Sequence, residues 1–307
     1  RLAVAELEGL VVDGEPALLF RQEGLTAPAN APQMLNISGL TELGSDGDVP
    51  PSRARRPFDA CSTLLYTSGT SGNPKGVMLS EENNFWGCTN FIHGHAVNPA
   101  SAFLCDMPLF HTAGLMAAAR TPLMAGGAVL ITQGFDPELT LARLMDEELG
   151  VTHYFSVPQM AATLWNRPEF DAKRLQKIVA WAIGGAPNPR AQTERFLSEG
   201  VRICEGFGMS ETGSNFGIPP FELPEMQRKA GSCGLTLLTV LAKVIDDDGR
   251  EVGPGEQGEL LVGGPSIAQG YWNQPELTAK ALVDGWFHTG DAAMRDEEDY
   301  FYIVDRK

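Results

Sequence analysis

Apolar and polar positions along this chain follow two periods. The first residues carry a helical pattern through Ala5, Leu7 and Leu10, a turn at Asp13-Gly14 and a strand over 17–20. That is an α-then-β piece of a doubly wound sheet. Residues 25–57 are rich in Pro, Gly, Ser, Asp and Asn and read as a long connection, whose Arg53, Arg55 and Arg56 form a solvated charge run. A buried strand is expected over 61–66 and a second apolar run over 77–79. Ser80-Glu81-Glu82-Asn83 then signals a helix N-terminus, and apolar residues over 83–93 keep helical spacing. A strand over 103–107 ends at Pro108, and 108–115 opens a helix. The apolar run 114–131 is broken by Arg120 and Pro122, so it reads as a core helix followed by a strand rather than a membrane span.

Strands and helices keep alternating through 128–132, 139–148, 152–157, 159–165 and 178–183. A helix over 189–198 and a strand over 201–204 follow, with GFGMSETG (206–213) as the next loop. This alternation predicts mostly parallel sheets covered by helices. From about residue 231 the strands become short, with turns at Asp248-Gly249, Gly253-Pro254-Gly255 and Gly263-Gly264-Pro265. That change predicts a smaller antiparallel, barrel-like subdomain. The expected division is α/β over 1–230 and barrel-like over 231–307.

The richest chemistry lies between the first two strands of the central part. YTSGTSGNPKG (66–76) holds three glycines, the hydroxyls of Thr67, Ser68, Thr70 and Ser71, and one lysine, Lys75. Glycine has no Cβ to keep a ligand away, so backbone N–H groups and hydroxyls can close on a polyphosphate. Lysine adds a mobile positive charge. The stretch is not a Walker loop, because Lys75 precedes Gly76 and Val77 rather than Ser or Thr.

Apolar residues make up 43% and charged residues 20% of the 307 positions, as in globular proteins. The net charge of −16 argues against nucleic acid but leaves room for a nucleotide held by a local loop. The five cysteines (61, 88, 105, 204, 233) form no C-x-x-C pair and suit reduced thiols in a cytoplasmic protein. No metal-spaced acidic or cysteine partner follows His93 and His95, which read as satisfied surface or core histidines.

The 66–76 string resembles the phosphate-binding signature of the adenylate-forming superfamily, which includes acyl- and aryl-CoA synthetases. PLFHTAGL (108–115), GGAP (184–187), GFGMSETG with the later GEQGEL, and WFHTGD followed by YFYIVDRK match the same pattern in order, over nearly the whole chain. The resemblance implies activation of a carboxylic acid with ATP to acyl-AMP and pyrophosphate, then transfer to CoA, with Mg2+ required. It makes Thr67, Ser68, Gly69, Thr70, Ser71, Gly72 and Lys75 the pyrophosphate clamp. Glu211, with Thr70 or Thr67, becomes the metal site. Gly184, Gly185, Ala186 and Pro187 form one wall beside adenine, and Glu205, Gly206, Phe207, Gly208, Met209 and Ser210 the other. Asp291 and Arg306 are expected at the ribose. The implied acyl pocket is His111, Val157, Trp181, Ile183, Gly206, Gly208 and Met209. His111 would lie beside the substrate carboxylate. It need not be a base, since a carboxylate is already a nucleophile at neutral pH.

Amino-acid-activating relatives carry a Phe-Asp pair where this chain has Phe110-His111. An ammonium without a partner in an apolar pocket is costly, so a fatty, aryl or related organic acid is expected. The resemblance also implies a preceding segment and a C-terminal lid domain after a hinge just beyond Arg306. Two alternatives stay open: an acyl-AMP ligase that loads a carrier protein, and a non-catalytic nucleotide-binding domain. A homodimer is also left open.

Overall fold

A computed structural model of the chain describes residues 4–21, 28–29, 31–37, 57–67 and 74–306. Helix α1 (Val4–Gly14) leads into β1 (Leu18–Arg21), which pairs in parallel with β2 (Gln33–Asn36). These two strands form their own small sheet, so the N-terminal piece is not a strand of the large one, and β2 lies inside the stretch expected as a plain connection.

Strands β3 (Cys61–Thr67) and β4 (Lys75–Ser80) form an antiparallel hairpin with Thr67 opposite Lys75. Both ends of the glycine-rich loop are thereby pinned. Residues 68–73, with Ser68, Gly69, Thr70, Ser71 and Gly72, lie outside the described residues, as do Arg53, Arg55 and Arg56. Helix α2 (Glu81–Gly94) starts at once because Ser80 and Asn83 make a reciprocal capping box.

The main sheet has seven strands, in the order β11-β10-β9-β8-β7-β5-β6. Its strands are β5 (Ala102–Cys105), β6 (Ala128–Ile131), β7 (His153–Ser156), β8 (Ala180–Ile183), β9 (Ile203–Met209), β10 (Gly213–Gly217) and β11 (Leu235–Thr236). β6, β5, β7, β8 and β9 are parallel, whereas β10 and β11 run antiparallel. The expected loop over 206–213 is mostly strand: β9 runs through Met209, and only Ser210, Glu211 and Thr212 turn before β10.

Alternation along the strands covers both sheet faces. Leu104, Tyr154, Trp181, Ile183 and Ile203 pack with Leu141, Leu144, Leu164 and Phe196 of helices α4 (Pro137–Met145), α5 (Pro158–Trp165) and α7 (Arg190–Ser198). Phe103 and Ala182 pack on the other side against Phe91 of α2 and Ala117 of a π-helical segment, Ala113–Arg120. That segment is the first half of the expected core helix, continued by the short α3 (Thr121–Met124). Helices α6 (Ala172–Leu175) and α8 (Leu223–Arg228) complete the layers.

Beyond β11, β12 (Leu241–Ile245), β13 (Gly258–Gly263), β15 (Leu282–Val283), β16 (Trp286–Arg295) and β17 (Phe301–Arg306) make an antiparallel sheet. Its inner side, with Val244, Leu260, Val262, Phe287 and Phe301, packs on Phe216 of β10. β14 (Gly270–Tyr271) instead adds to β4, followed by α9 (Pro275–Ala281). Among the described residues no helix is long and apolar enough to cross a membrane.

Candidate active site

The parallel strands point the same way, so the segments after β5, β7 and β8 and the end of β9 leave one edge of the sheet. Ligands in open α/β sheets bind beyond such carboxyl ends. His111, Val157, Gly184 to Pro187 and Gly206 to Glu211 all lie along this edge.

The tightest constellation joins two sheets, through the turn between β9 and β10 of the main sheet and through β4 and β14 of the small one. Glu211 sits in the turn between β9 and β10. Thr212 and Asn215 lock that turn by hydrogen bonds to each other, Ser266 Oγ donates to the Thr212 carbonyl, and the Ala268 N–H donates to the Glu211 carbonyl at 2.7 Å. The Glu211 carboxylate accepts from the Tyr271 hydroxyl at 2.9 Å. Over the ring of Tyr271 lies Lys75 Nζ, 5.6 Å from its centroid. Lys75 and Glu211 were both expected; Tyr271 was not. Its signal in the sequence was weak, a single tyrosine in a Gly-Tyr-Trp string.

Segment 265–268, which supports the Glu211 turn, is held from the side by Asn83. The Asn83 side-chain amide donates to the carbonyls of Pro265 and Ile267 at 2.9 and 2.8 Å while its oxygen caps α2. One asparagine thus links the strand leaving the glycine-rich loop to the turn carrying Glu211.

Glycines along the edge serve backbone packing. A Cβ at Gly208 would lie 2.3 Å from the Gly213 carbonyl oxygen, and one at Gly206 would lie 2.9 Å from that of Phe216. Their smallness is therefore required by the β9–β10 hairpin itself, whatever lies against it. Gly114 of the PLFHTAGL stretch is likewise forced, since a Cβ there would meet the Pro108 carbonyl oxygen at 2.3 Å. The chain turns sharply at that point, and His111 is left exposed between β5 and the π-helical segment.

Three expectations need correction. Trp181 and Ile183 do not face the edge. Trp181 is fully buried, its indole donates to Ser156 Oγ at 2.8 Å, and both pack in the helical layer. Alternation also separates Met209 from Gly206 and Gly208, because Met209 and Phe207 pack toward the antiparallel sheet. Glu205 is buried with both oxygens engaged, accepting from Asn188 Nδ2 and from the Gly231 N–H at 2.7 Å each. Burial raises its carboxyl above the ordinary range, against the pull of those donors. Its side chain joins β9 to the start of α7 and to the chain near residue 231, and is not presented to a nucleotide.

Asp291 is buried on β16, directly opposite Arg306 of β17 in register. Its N–H donates to Thr289 Oγ1 at 3.1 Å. Half-buried Phe207 packs beside Phe216, ring centroids 6.0 Å apart. Thr67 closes β3 at the foot of the loop, and Ser210 is buried in the Glu211 turn.

A family model described as AMP-binding enzyme matches residues 2–272. The chain belongs to the AMP-binding enzyme family. Feruloyl-CoA synthase of an Amycolatopsis species is 34% identical over 308 residues, covering 100% of this chain and 62% of that protein. Indoleacetate–CoA ligase of Aromatoleum aromaticum is 31% identical over 323 residues, with the same two shares. Among solved structures, ATP-bound MatB from Rhodopseudomonas palustris superposes with a TM-score of 0.90 at 28% identity, covering 100% of this chain and 62% of its own. The chain therefore spans about three fifths of the length of the AMP-binding relatives it matches.

The AMP-binding family implies magnesium, and the residues here fit it. Among the described residues no three His, Cys, Asp or Glu side chains converge into a metal cage. Magnesium keeps most of its waters and takes one or two carboxylates plus phosphate oxygens. A half-buried Glu211 with one oxygen fixed by Tyr271 matches that demand.

Proposed function

We propose that this chain is the large domain of an AMP-forming acyl-CoA synthetase. The observation that carries the reading is the meeting of Lys75, Tyr271 and Glu211 at the pinned base of the glycine-rich loop. A cation and a carboxylate of opposite demand sit together where a triphosphate can be gripped from both sides.

In this reading the acid's carboxylate attacks the α-phosphorus of ATP, and pyrophosphate leaves. Lys75 places its ammonium against phosphate oxygens as a point charge, and the loop from Thr67 to Lys75 supplies N–H and hydroxyl donors. Glu211 would hold magnesium, with Thr70 or Thr67 sharing it. When bound, that ion neutralises charge building on the phosphates. Gly184 to Pro187 and Gly206 to Ser210 border the adenine through their backbone. Asp291 accepts the ribose hydroxyls, with Arg306 beside it. The acyl group lies near His111 and Val157, and CoA is the acceptor. The substrate is an organic acid without an ammonium group; ferulate- and indoleacetate-activating relatives fit an aryl acid within that class.

Thermal unfolding with Mg-ATP and with non-hydrolysable acyl-AMP mimics tests this. Ligand at a hundred times its dissociation constant adds about 2.7 kcal/mol, a shift of a few degrees for a chain of this size. The account expects aryl or aliphatic acyl-AMP mimics to shift the midpoint, and aminoacyl mimics to shift it less. Equal responses to every acyl group, or none, would count against the substrate class.

A further inference from the structure

Tyr271 stands between the two groups that the proposed function makes essential, and nothing in that function requires a tyrosine there. Its hydroxyl reaches Glu211 Oε1 at 2.9 Å, and Lys75 Nζ lies 5.6 Å over its ring. We infer that Tyr271 is a positioning residue that fixes the metal carboxylate and the phosphate lysine relative to each other. The inference rests on the proposed reading of Lys75 and Glu211.

The ring cannot swing. Tyr271 pairs with Val77 of β4, and its N–H donates to Thr278 Oγ1 of α9 at 2.9 Å. Gly270 before it has φ +136°, and a Cβ there would meet the Thr278 methyl at 2.4 Å, so β14 and α9 touch too closely to slide. The ring is buried among Leu65, Val77, Leu79 and Ala268. Tyr271 is thus as rigid as the sheet.

Its two polar features do different work. The hydroxyl donates to Glu211 Oε1, which narrows the orientations open to the carboxylate. The ring face attracts the ammonium of a flexible four-carbon stem. Both effects lower the ordering that must otherwise accompany ligand binding. Partners in the second layer around a metal commonly change metal affinity by about 10- to 100-fold when removed.

The test uses the full-length protein. Thermal unfolding is followed at a fixed concentration of a non-hydrolysable ATP analogue while Mg2+ is varied, giving the Mg2+ concentration for half of the maximal stabilisation. Y271F keeps the ring and loses the hydroxyl. It is expected to need about tenfold more Mg2+, with an unfolding midpoint a few degrees lower without ligand, from the lost hydrogen bond to a carboxylate, and little change in nucleotide affinity at saturating Mg2+. Y271L also removes the ring face and should weaken nucleotide binding even at saturating Mg2+. A folded Y271F protein within twofold of the wild-type Mg2+ midpoint overturns the inference. If Y271F does not fold, T278A loosens the same tyrosine from behind. It should raise the midpoint in the same direction, and a wild-type midpoint overturns the inference equally. E211Q and K75A separate the two levels. If neither disturbs Mg-nucleotide binding, the reading of the site itself fails; if both do and Y271F does not, only the role of Tyr271 fails.

Discussion

The Tyr66 hydroxyl donates to Asp13 Oδ2 at 2.7 Å, joining the last turn of α1 to the strand that enters the glycine-rich loop. The Asp13 carbonyl also accepts from Trp272 Nε1 at 2.8 Å, just beyond Tyr271. One aspartate therefore ties the N-terminal helix to both sides of the candidate phosphate site. Burial and the Asp13 carboxylate push the Tyr66 pKa well above its ordinary value, so the phenol stays a donor.

Y66F should cost about 1–2 kcal/mol, the loss of one hydrogen bond to a charged group. For a chain of this length that is a few degrees in the unfolding midpoint. Calorimetry on Y66F and D13A checks it, and the two losses should not add, since each removes the same bond.

Asn83 makes a sharper case. N83A removes the acceptor for the Ser80 N–H, one half of the α2 capping box, and the two donated bonds to Pro265 and Ile267 at once, with an expected cost of about 2–4 kcal/mol. N83D keeps an acceptor for the Ser80 N–H but has no amide to donate. It should retain most of the helix while loosening the Glu211 turn, seen as a higher Mg2+ requirement for nucleotide binding.

Gly114 allows no side chain. G114A drives a methyl into the backbone of Pro108, and backbone cannot move aside as a side-chain tip can. The expected loss is about 3 kcal/mol or more. G9A is the control, because a Cβ at Gly9 meets nothing within 4 Å. There the helix gains a better former and should be stabilised slightly.

His95 gives the chain an acid-sensitive point. It is buried, stacked on Phe91 with ring centroids 3.8 Å apart, and its Nε2 has no hydrogen-bond partner. Burial pushes its pKa down to about 4, outweighing the raising effect of the Phe91 carbonyl, and nearby His153 lowers it further. A base with a depressed folded-state pKa contributes full stability above its unfolded value near 6.5. It loses that stability as pH falls toward 4. The total is about 3 kcal/mol. H95F keeps the stack on Phe91 and removes the proton site, so its stability should fall less than the wild type's between pH 6.5 and 4. Parallel denaturant titrations at several pH values measure the difference.

Much of this was legible in the chain because periodicity reports directly on burial. Ser80 and Asn83 announced α2, and the alternation from 102 to 204 announced the parallel sheet. Glycines told less, since Gly206 and Gly208 look alike whether they face a ligand or a neighbouring strand. A two-residue alternation decides which way Trp181 and Ile183 point, but their partners, such as Ser156 and Phe196, come from distant segments. Tyr271 was missed for the same reason. Its meaning lies in Lys75, nearly two hundred residues earlier, and in Glu211, sixty residues before it. Neither contact leaves a local pattern.

The most direct test of the central claim is ATP–pyrophosphate exchange by the full-length protein with a panel of aliphatic, aryl and amino acids and Mg2+. The account predicts exchange that depends on an aliphatic or aryl acid, with E211Q and K75A each lowering it by about a hundredfold or more while remaining folded. Exchange with no organic acid, or full exchange in folded E211Q and K75A proteins, would contradict it.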